Sequence, residues 1–295
     1  MAWIQIKAYT NETNSELIGD QLQLLGAEAI TYQDAGDTPI YEPPPGAILY
    51  WQHTTVTALF SENANYYPAQ EWLKTQEKQQ IIEHFTVDLL TDCDWERECL
   101  KDIKSIQIGQ RLWVCPTWET PPDSNACNLI LDPGLAFGTG THPTTALCLA
   151  WLEKNIIGDE QVIDYGCGSG ILGLAALKLG SKHVTAIDFD PQALLATEKN
   201  LQRNNLPASK VTLCLPDDLA KNQPPVDILL ANILSKPLIE LAPNFNNLIK
   251  KGGKLVLSGI LQHQAYDVQQ AYQAWFDFDQ IKQQAEWVCL SATKK

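Results

Sequence analysis

Residues 161–172 read QVIDYGCGSGIL, an apolar run that ends in an acid and then places glycine at every second position. Glycines 166, 168 and 170 would let the backbone turn sharply and approach a ligand with no Cβ in the way. A helix beginning just beyond them would offer free N–H groups. A nicotinamide dinucleotide loop wants its third glycine at 171, and residue 171 is Ile. Asp164, two places before Gly166, suits an ammonium better than a phosphate. The next apolar run ends AIDFD, with Asp188 22 residues after Gly166. A carboxylate at such a strand tip can accept both hydroxyl protons of a ribose. After the third run, LCLPDDLA offers Asp217 or Asp218 to an amino group of a base, and a solvated turn is an equal reading. The fourth run, DILLAN, ends in Asn232, whose amide can both accept and donate. Its oxygen could hold an amine N–H so that the nitrogen lone pair faces a carbon electrophile. A helix N-cap is the competing reading for Asn232.

The Asp-x-Gly-x-Gly-x-Gly pattern resembles motif I of the S-adenosylmethionine-dependent methyltransferases. That resemblance implies a cofactor with a methionine ammonium and carboxylate, a ribose and an adenine, and no pyrophosphate. Asn232-Ile233-Leu234-Ser235 resembles motif IV of amino-methylating enzymes, which often reads Asn-Pro-Pro-Tyr. The Asn is kept and the aromatic is not, which argues against a flipped base as substrate. A sulfonium leaving group needs no activation, so such an enzyme must position its amine and obtain it neutral. Free Lys titrates at about 10.4 and an α-amine at about 7.7–8.0, and desolvation lowers both.

The elements that would position these residues alternate strictly from residue 129. Strands are expected at 161–165, 183–188, 210–215, 226–232 and 253–260, and helices at 143–155, 170–180, 191–204, 236–250 and 263–275. Near-continuous apolar strands separated by helices imply a parallel sheet covered on both faces. FDFDQIK and EWVCLSA would close the chain as an antiparallel pair at the edge. Before residue 90 the order is strand 3–9, helix 14–26, strands 27–33 and 54–60, and one helix over 66–85. This suggests a small two-layer α+β domain of ferredoxin-like type. A connector, 91–128, would hold a short helix in DCDWERECLKDI and a hairpin around Gly109-Gln110. The expected domains are therefore 1–90, 91–128 and 129–295.

A second glycine-rich stretch, LDPGLAFGTGTHPTTALCL, spans 131–149. No Lys follows Gly138 or Gly140, so it is not a Walker phosphate loop. Together with VIDYGCGSGIL, AIDFDPQAL, LLANILSKPL and the connector DWERECLKDIKSIQIGQRLWVCPTWE, it resembles the bacterial methyltransferases of ribosomal protein L11. The resemblance covers essentially the whole chain and is looser before residue 90. It implies a class I methyltransferase fold, a Rossmann-like seven-stranded sheet with one antiparallel edge strand. It further implies that both loops serve one S-adenosylmethionine, with Thr145 at the methionine end and Phe137 and His142 lining the site. The implied substrate is ribosomal protein L11, free or on the large subunit, methylated on Lys side chains and its N-terminal amine. The N-terminal domain would grip it. A turn or a helix cap is the plainer reading of His142, Thr144 and Thr145.

The bulk composition agrees. A net charge of −14 disfavours direct nucleic-acid binding and favours a basic partner. Eight cysteines form no CxxC pair, so no metal site is expected. Their scatter, with no secretory signal and no apolar run of membrane-spanning length, points to the cytoplasm. A methyltransferase of another protein or small amine remains an alternative, as does a non-catalytic cofactor-binding ribosome-assembly factor. A nicotinamide oxidoreductase is disfavoured by Ile171.

Overall fold

The computed structural model describes residues 2–36, 38, 40, 49–90, 104–131, 140, 142–219 and 223–295. The chain forms two compact units, Met1–Glu98 and Cys99–Lys295. Among the described residues no helix is long and apolar enough to cross a membrane, and no group of three or more His, Cys, Asp or Glu is placed to hold a metal.

In the first unit, strands β1 (Trp3–Thr10), β2 (Ala29–Asp34), β3 (Thr54–Ser61) and β4 (His84–Leu90) form an antiparallel sheet in the order β2-β3-β1-β4. The pleat sends Ile4, Ile6 and Ala8 of β1 to one face, where they pack with Val56, Ala58 and Phe60 of β3. Helices α1 (Ser15–Leu24) and α2 (Tyr67–Lys78) close that face with Ile18, Leu22, Ala69 and Leu73. The single helix expected over 66–85 is therefore two elements, since α2 stops at Lys78 and His84 begins β4. The stop is a left-handed Gln80 (φ 59°). Gln80 N–H bonds Glu77 O and Ile81 N–H bonds Gln76 O, a Schellman closure without the usual glycine.

In the second unit, β5 (Ile106–Ile108) and β6 (Leu112–Cys115) form the expected hairpin, and β7 (Cys127–Ile130) runs parallel to β6. The hairpin packs on helix α3 (Pro143–Asn155), whose buried Glu153 accepts the N–H groups of Gln110 and Arg111. The expected helix in 92–103 lies outside the described residues.

The main sheet comprises β8 (Gln161–Tyr165), β9 (His183–Ile187), β10 (Val211–Cys214), β11 (Val226–Asn232), β12 (Ile249–Leu261), β13 (Phe276–Phe278), β14 (Lys282–Gln284) and β15 (Trp287–Lys294). Its order is β10-β9-β8-β11-β12-β15-β13, with β14 also paired to β15. Strands β8 to β12 are mutually parallel, and β15 runs antiparallel to β12, β13 and β14. Among the described residues the sheet thus has eight strands where seven were expected, and the antiparallel β15 is interior. Residues 287–292 are all buried, as an interior strand requires. FDFDQIK is two strands because the register on β15 slips between Phe278 and Lys282.

One face of the sheet is covered by α3, α4 (Ile171–Leu179) and α5 (Pro191–Arg203). The other is covered by α6 (Ser235–Leu248) and α7 (Ala265–Tyr272). The strand order reverses between β8 and β11, and ligands bind at the carboxyl ends of the strands at such a switch point.

Replacing exposed Gln80 by Gly should stabilise the first unit by about 0.5–1 kcal/mol, since the left-handed conformation no longer opposes a Cβ. Urea unfolding measures this, and an unchanged midpoint would contradict it.

Candidate active site

At the switch point lies a cavity of about 540 Å³. The carboxyl ends of β8 and β11 supply Tyr165-Gly166 and Asn232-Ile233-Leu234, and Asp188-Phe189 follow β9. Pro216 comes from the turn after β10, and His142 and Thr144 from the start of α3. Gly259 of β12 and Trp287 of β15 complete one wall beside Pro237 and Leu241 of α6.

Asn232 is not a helix cap, because α6 is capped at Leu234. Its Nδ2 donates to Thr145 Oγ1 at 3.3 Å, which leaves Oδ1 as the acceptor. Thr145 is 1% exposed and does not line the cavity, whereas its neighbour Thr144 does. His142 is the N-cap of α3. Its Nδ1 accepts the Thr144 N–H and lies 2.8 Å from Thr144 Oγ1. Its ring meets Trp287 edge to face at 5.1 Å, and burial lowers its pKa. Phe137 lies outside the described residues.

Asp188 is buried at the tip of β9 and lines the cavity. Oδ2 accepts Gly168 N–H at 2.9 Å and Oδ1 accepts Asp190 N–H at 3.1 Å. The same carboxylate therefore fixes the glycine loop and the entry to α5, with lone pairs left over. Gly168 shapes the loop from behind, since it does not line the cavity. Asp217 is exposed in a 3-10 turn next to Pro216. Burial raises the phenol pKa of Tyr165, and Asp217 adds to the rise.

Asp164 is 1% exposed and does not line the cavity. Its Oδ2 accepts Gly173 N–H at 2.8 Å, in the first turn of α4. Gly170, the N-cap, has no side chain to offer, so Asp164 caps the helix from the preceding strand. Burial pushes its carboxyl up to about 7, the Gly173 N–H opposes the rise, and Asp188 adds to it.

The model of the ribosomal protein L11 methyltransferase family (PrmA) matches residues 2–295. The ribosomal protein L11 methyltransferase of Marinobacter nauticus is 47% identical over 298 residues, spanning 100% of this chain and 99% of that protein. That of a Shewanella species is 48% identical over 297 residues, with 100% of both covered. The crystal structure of a ribosomal protein L11 methylase from Lactobacillus delbrueckii subsp. bulgaricus matches with TM-score 0.60 and 32% identity, over 65% of this chain and 100% of that one. The chain belongs to the ribosomal protein L11 methyltransferase family. Its fold is the α/β methyltransferase fold.

The cavity residues that the sequence reading missed include Tyr165, Phe189, Ile233, Gly259 and Trp287. Tyr165 and Phe189 adjoin Asp164 and Asp188, a signal that was available. Trp287 arrives from the last hairpin and had none. Ile233 is gripped on two sides. A Cβ on Gly166 (φ 74°) would lie 2.4 Å from Ile233 Cγ2. A Cβ on Gly259 (φ 81°) would lie 2.3 Å from Ile233 O and 2.8 Å from its carbonyl carbon.

Gly259→Ala should therefore displace the Ile233 backbone beside Asn232 and lower turnover on the order of a hundredfold. Steady-state kinetics at saturating substrate test this, and a loss under threefold would contradict it.

Asp164 predicts a pH effect of definite sign. A carboxyl whose folded pKa exceeds its unfolded value gives stability that is complete below about pH 4 and is lost as pH rises through 7. Asp164→Asn keeps an acceptor for Gly173 without the charge. Between pH 4 and 8 the wild type should lose roughly 2–4 kcal/mol relative to this variant. Parallel urea titrations with pH would contradict the assignment.

Proposed function

We propose that the chain transfers methyl groups from S-adenosylmethionine to amines of ribosomal protein L11, its Lys side chains and its N-terminal α-amine. The observation that carries this reading is Asn232, held by Thr145 at the tip of β11 in the same cavity as Asp188 and Gly166. The residues fit the cofactor. Asp188 presents a buried carboxylate with unused lone pairs to ribose hydroxyls, and Gly166 presents bare backbone beside it. Phe189 and Pro216 give apolar surface for an adenine, and exposed Asp217 stands at that end. Asp164 serves the methionine end indirectly, by anchoring the helix that follows the loop. Thr145 serves it through Asn232, with His142 lining the same cavity.

The bound cofactor supplies an electrophilic methyl group on sulfur. The chain's part is to deliver a neutral amine on line. The cavity walls are largely apolar, so an ammonium entering them loses hydration and sheds its proton more readily. Asn232 Oδ1 then accepts an amine N–H and directs the lone pair at the methyl carbon. The fold is proposed as class I, with the first unit a ferredoxin-like domain that holds L11. The order β2-β3-β1-β4 with two helices on one face supports that assignment. The net charge of −14 favours a basic partner, and such a substrate places the reaction in the cytoplasm.

Incubation with methyl-labelled S-adenosylmethionine and purified L11 should label Lys and the N-terminal amine, as located by mass. Asn232→Ala should cut the rate on the order of a hundredfold. Absence of label from L11 with the wild type would overturn the proposal.

A further inference from the structure

Helix α5 leaves the site at Asp188 and carries a row of buried polar residues that the chemistry above does not use. Thr197, Asn200 and Asn204 are 1%, 6% and 4% exposed. Their spacing of three and four residues puts them on one face. Thr197 Oγ1 donates to Gly168 O at 3.1 Å, and Asn200 Nδ2 donates to Ser169 O at 2.9 Å. Two successive carbonyls of the motif I loop are thus held from behind by one helix. Thr197 also fills the space beside Gly170, where a Cβ would lie 2.6 Å from its Cγ2.

Asn204, at the end of the helix, does the equivalent for another segment. Its Oδ1 accepts Ile130 N–H at 2.8 Å and its Nδ2 donates to Ile130 O at 2.8 Å. The side chain takes the place of a paired strand on the edge of β7 that faces away from β6. Nδ2 also donates to Asn200 O at 2.8 Å, which joins the two ends of the row. Ile130 is the last residue of β7, two places before the stretch DPGLAFGTGT.

Burying three polar side chains is costly unless each has a partner of fixed geometry. Here the partners include the backbone of the loop and of the strand, beside Cys167 Sγ at 3.5 Å from Thr197 Oγ1 and Arg203 Nη1 donating to Asn200 Oδ1. We infer that Thr197, Asn200 and Asn204 are positioning residues for cofactor binding, setting the loop backbone at 168–169 and the strand end at 130 without touching the ligand. This rests on the reading of the cavity as the S-adenosylmethionine site.

The test uses the full chain and S-adenosylhomocysteine in calorimetry, with thermal unfolding and steady-state methylation of L11 alongside. Thr197→Val keeps the shape and removes the hydroxyl. It should weaken binding about three- to tenfold and raise KM for S-adenosylmethionine by a similar factor, with kcat within about twofold. Thr197→Ser, which retains the donor, should bind within about twofold of the wild type. Asn204→Ala should weaken binding about three- to tenfold, although Asn204 does not line the cavity. Thr197→Val and Thr197→Ser decide the matter should Asn204→Ala not fold. A lowered Tm with unchanged affinity in Thr197→Val would show a merely structural row and overturn the inference. A wild type that binds no S-adenosylhomocysteine would instead overturn the reading of the cavity itself.

Discussion

The site depends on two missing Cβ atoms. Ile233 follows Asn232 at the end of β11 and is seated between Gly166, which faces its side chain, and Gly259, which faces its backbone. Both glycines have positive φ, so neither position readily takes another residue. The contact fixes the separation of β8, β11 and β12 where ligands bind. It also sets the height at which the Asn232 amide enters the cavity. Thr145 then determines which way that amide faces. Backbone approach comes first and side-chain orientation second, and the order matters because packed interiors relax only partially around an added methyl group.

Two carboxylates lie close together at this edge and do different work. Asp188 faces the cavity and organises backbone N–H groups on both sides of itself. Asp164 is turned inward to one N–H of α4 and is held up near neutrality by burial. The charge of Asp188 adds to the cost of ionising Asp164. Asp188 is the one placed to meet a ligand, because an acid whose oxygens reach the cavity keeps part of its hydration. The acid behind the glycines instead caps the helix that follows them.

Much of this was legible in the sequence, for reasons that also explain the failures. Strands 161–165 and 226–232 and helix 143–155 fall at the residues expected, because apolar runs bounded by Gly, Pro and Asn admit few alternatives. The helix over 66–85 ran long because its stop is a left-handed Gln80, and no glycine marked it. Asp164 was ambiguous in kind, since an acid two places before a glycine loop serves equally as a ligand contact or as the cap of the next helix. Thr144 and Thr145 are roughly 100° apart on α3, so one can face the cavity while the other meets Asn232, and no one-dimensional pattern says which. Trp287 was illegible because it reaches the site only through β15 crossing to the middle of the sheet.

The character of the cavity follows from its ionisable groups. Among the described residues that line it, His142, Tyr165 and Asp188 can ionise. Burial lowers the pKa of His142 and raises that of Tyr165, so both favour their neutral forms. Asp188 already holds two backbone N–H groups. With the remaining Asp188 lone pairs assigned to ribose hydroxyls, an incoming ammonium would give up water for little in return, whereas a neutral amine loses less and finds the Asn232 oxygen. The His142 nitrogen that could act as a base is occupied, since Nδ1 accepts from Thr144. With Nδ1 an acceptor, the neutral ring carries its proton on Nε2 and is a donor there. Selection of the nucleophilic form is then a matter of solvation. An alkyl stem suits such a wall and a hydrated polar substrate does not. The same apolar surface that excludes charge thus suits an amine on a Lys stem.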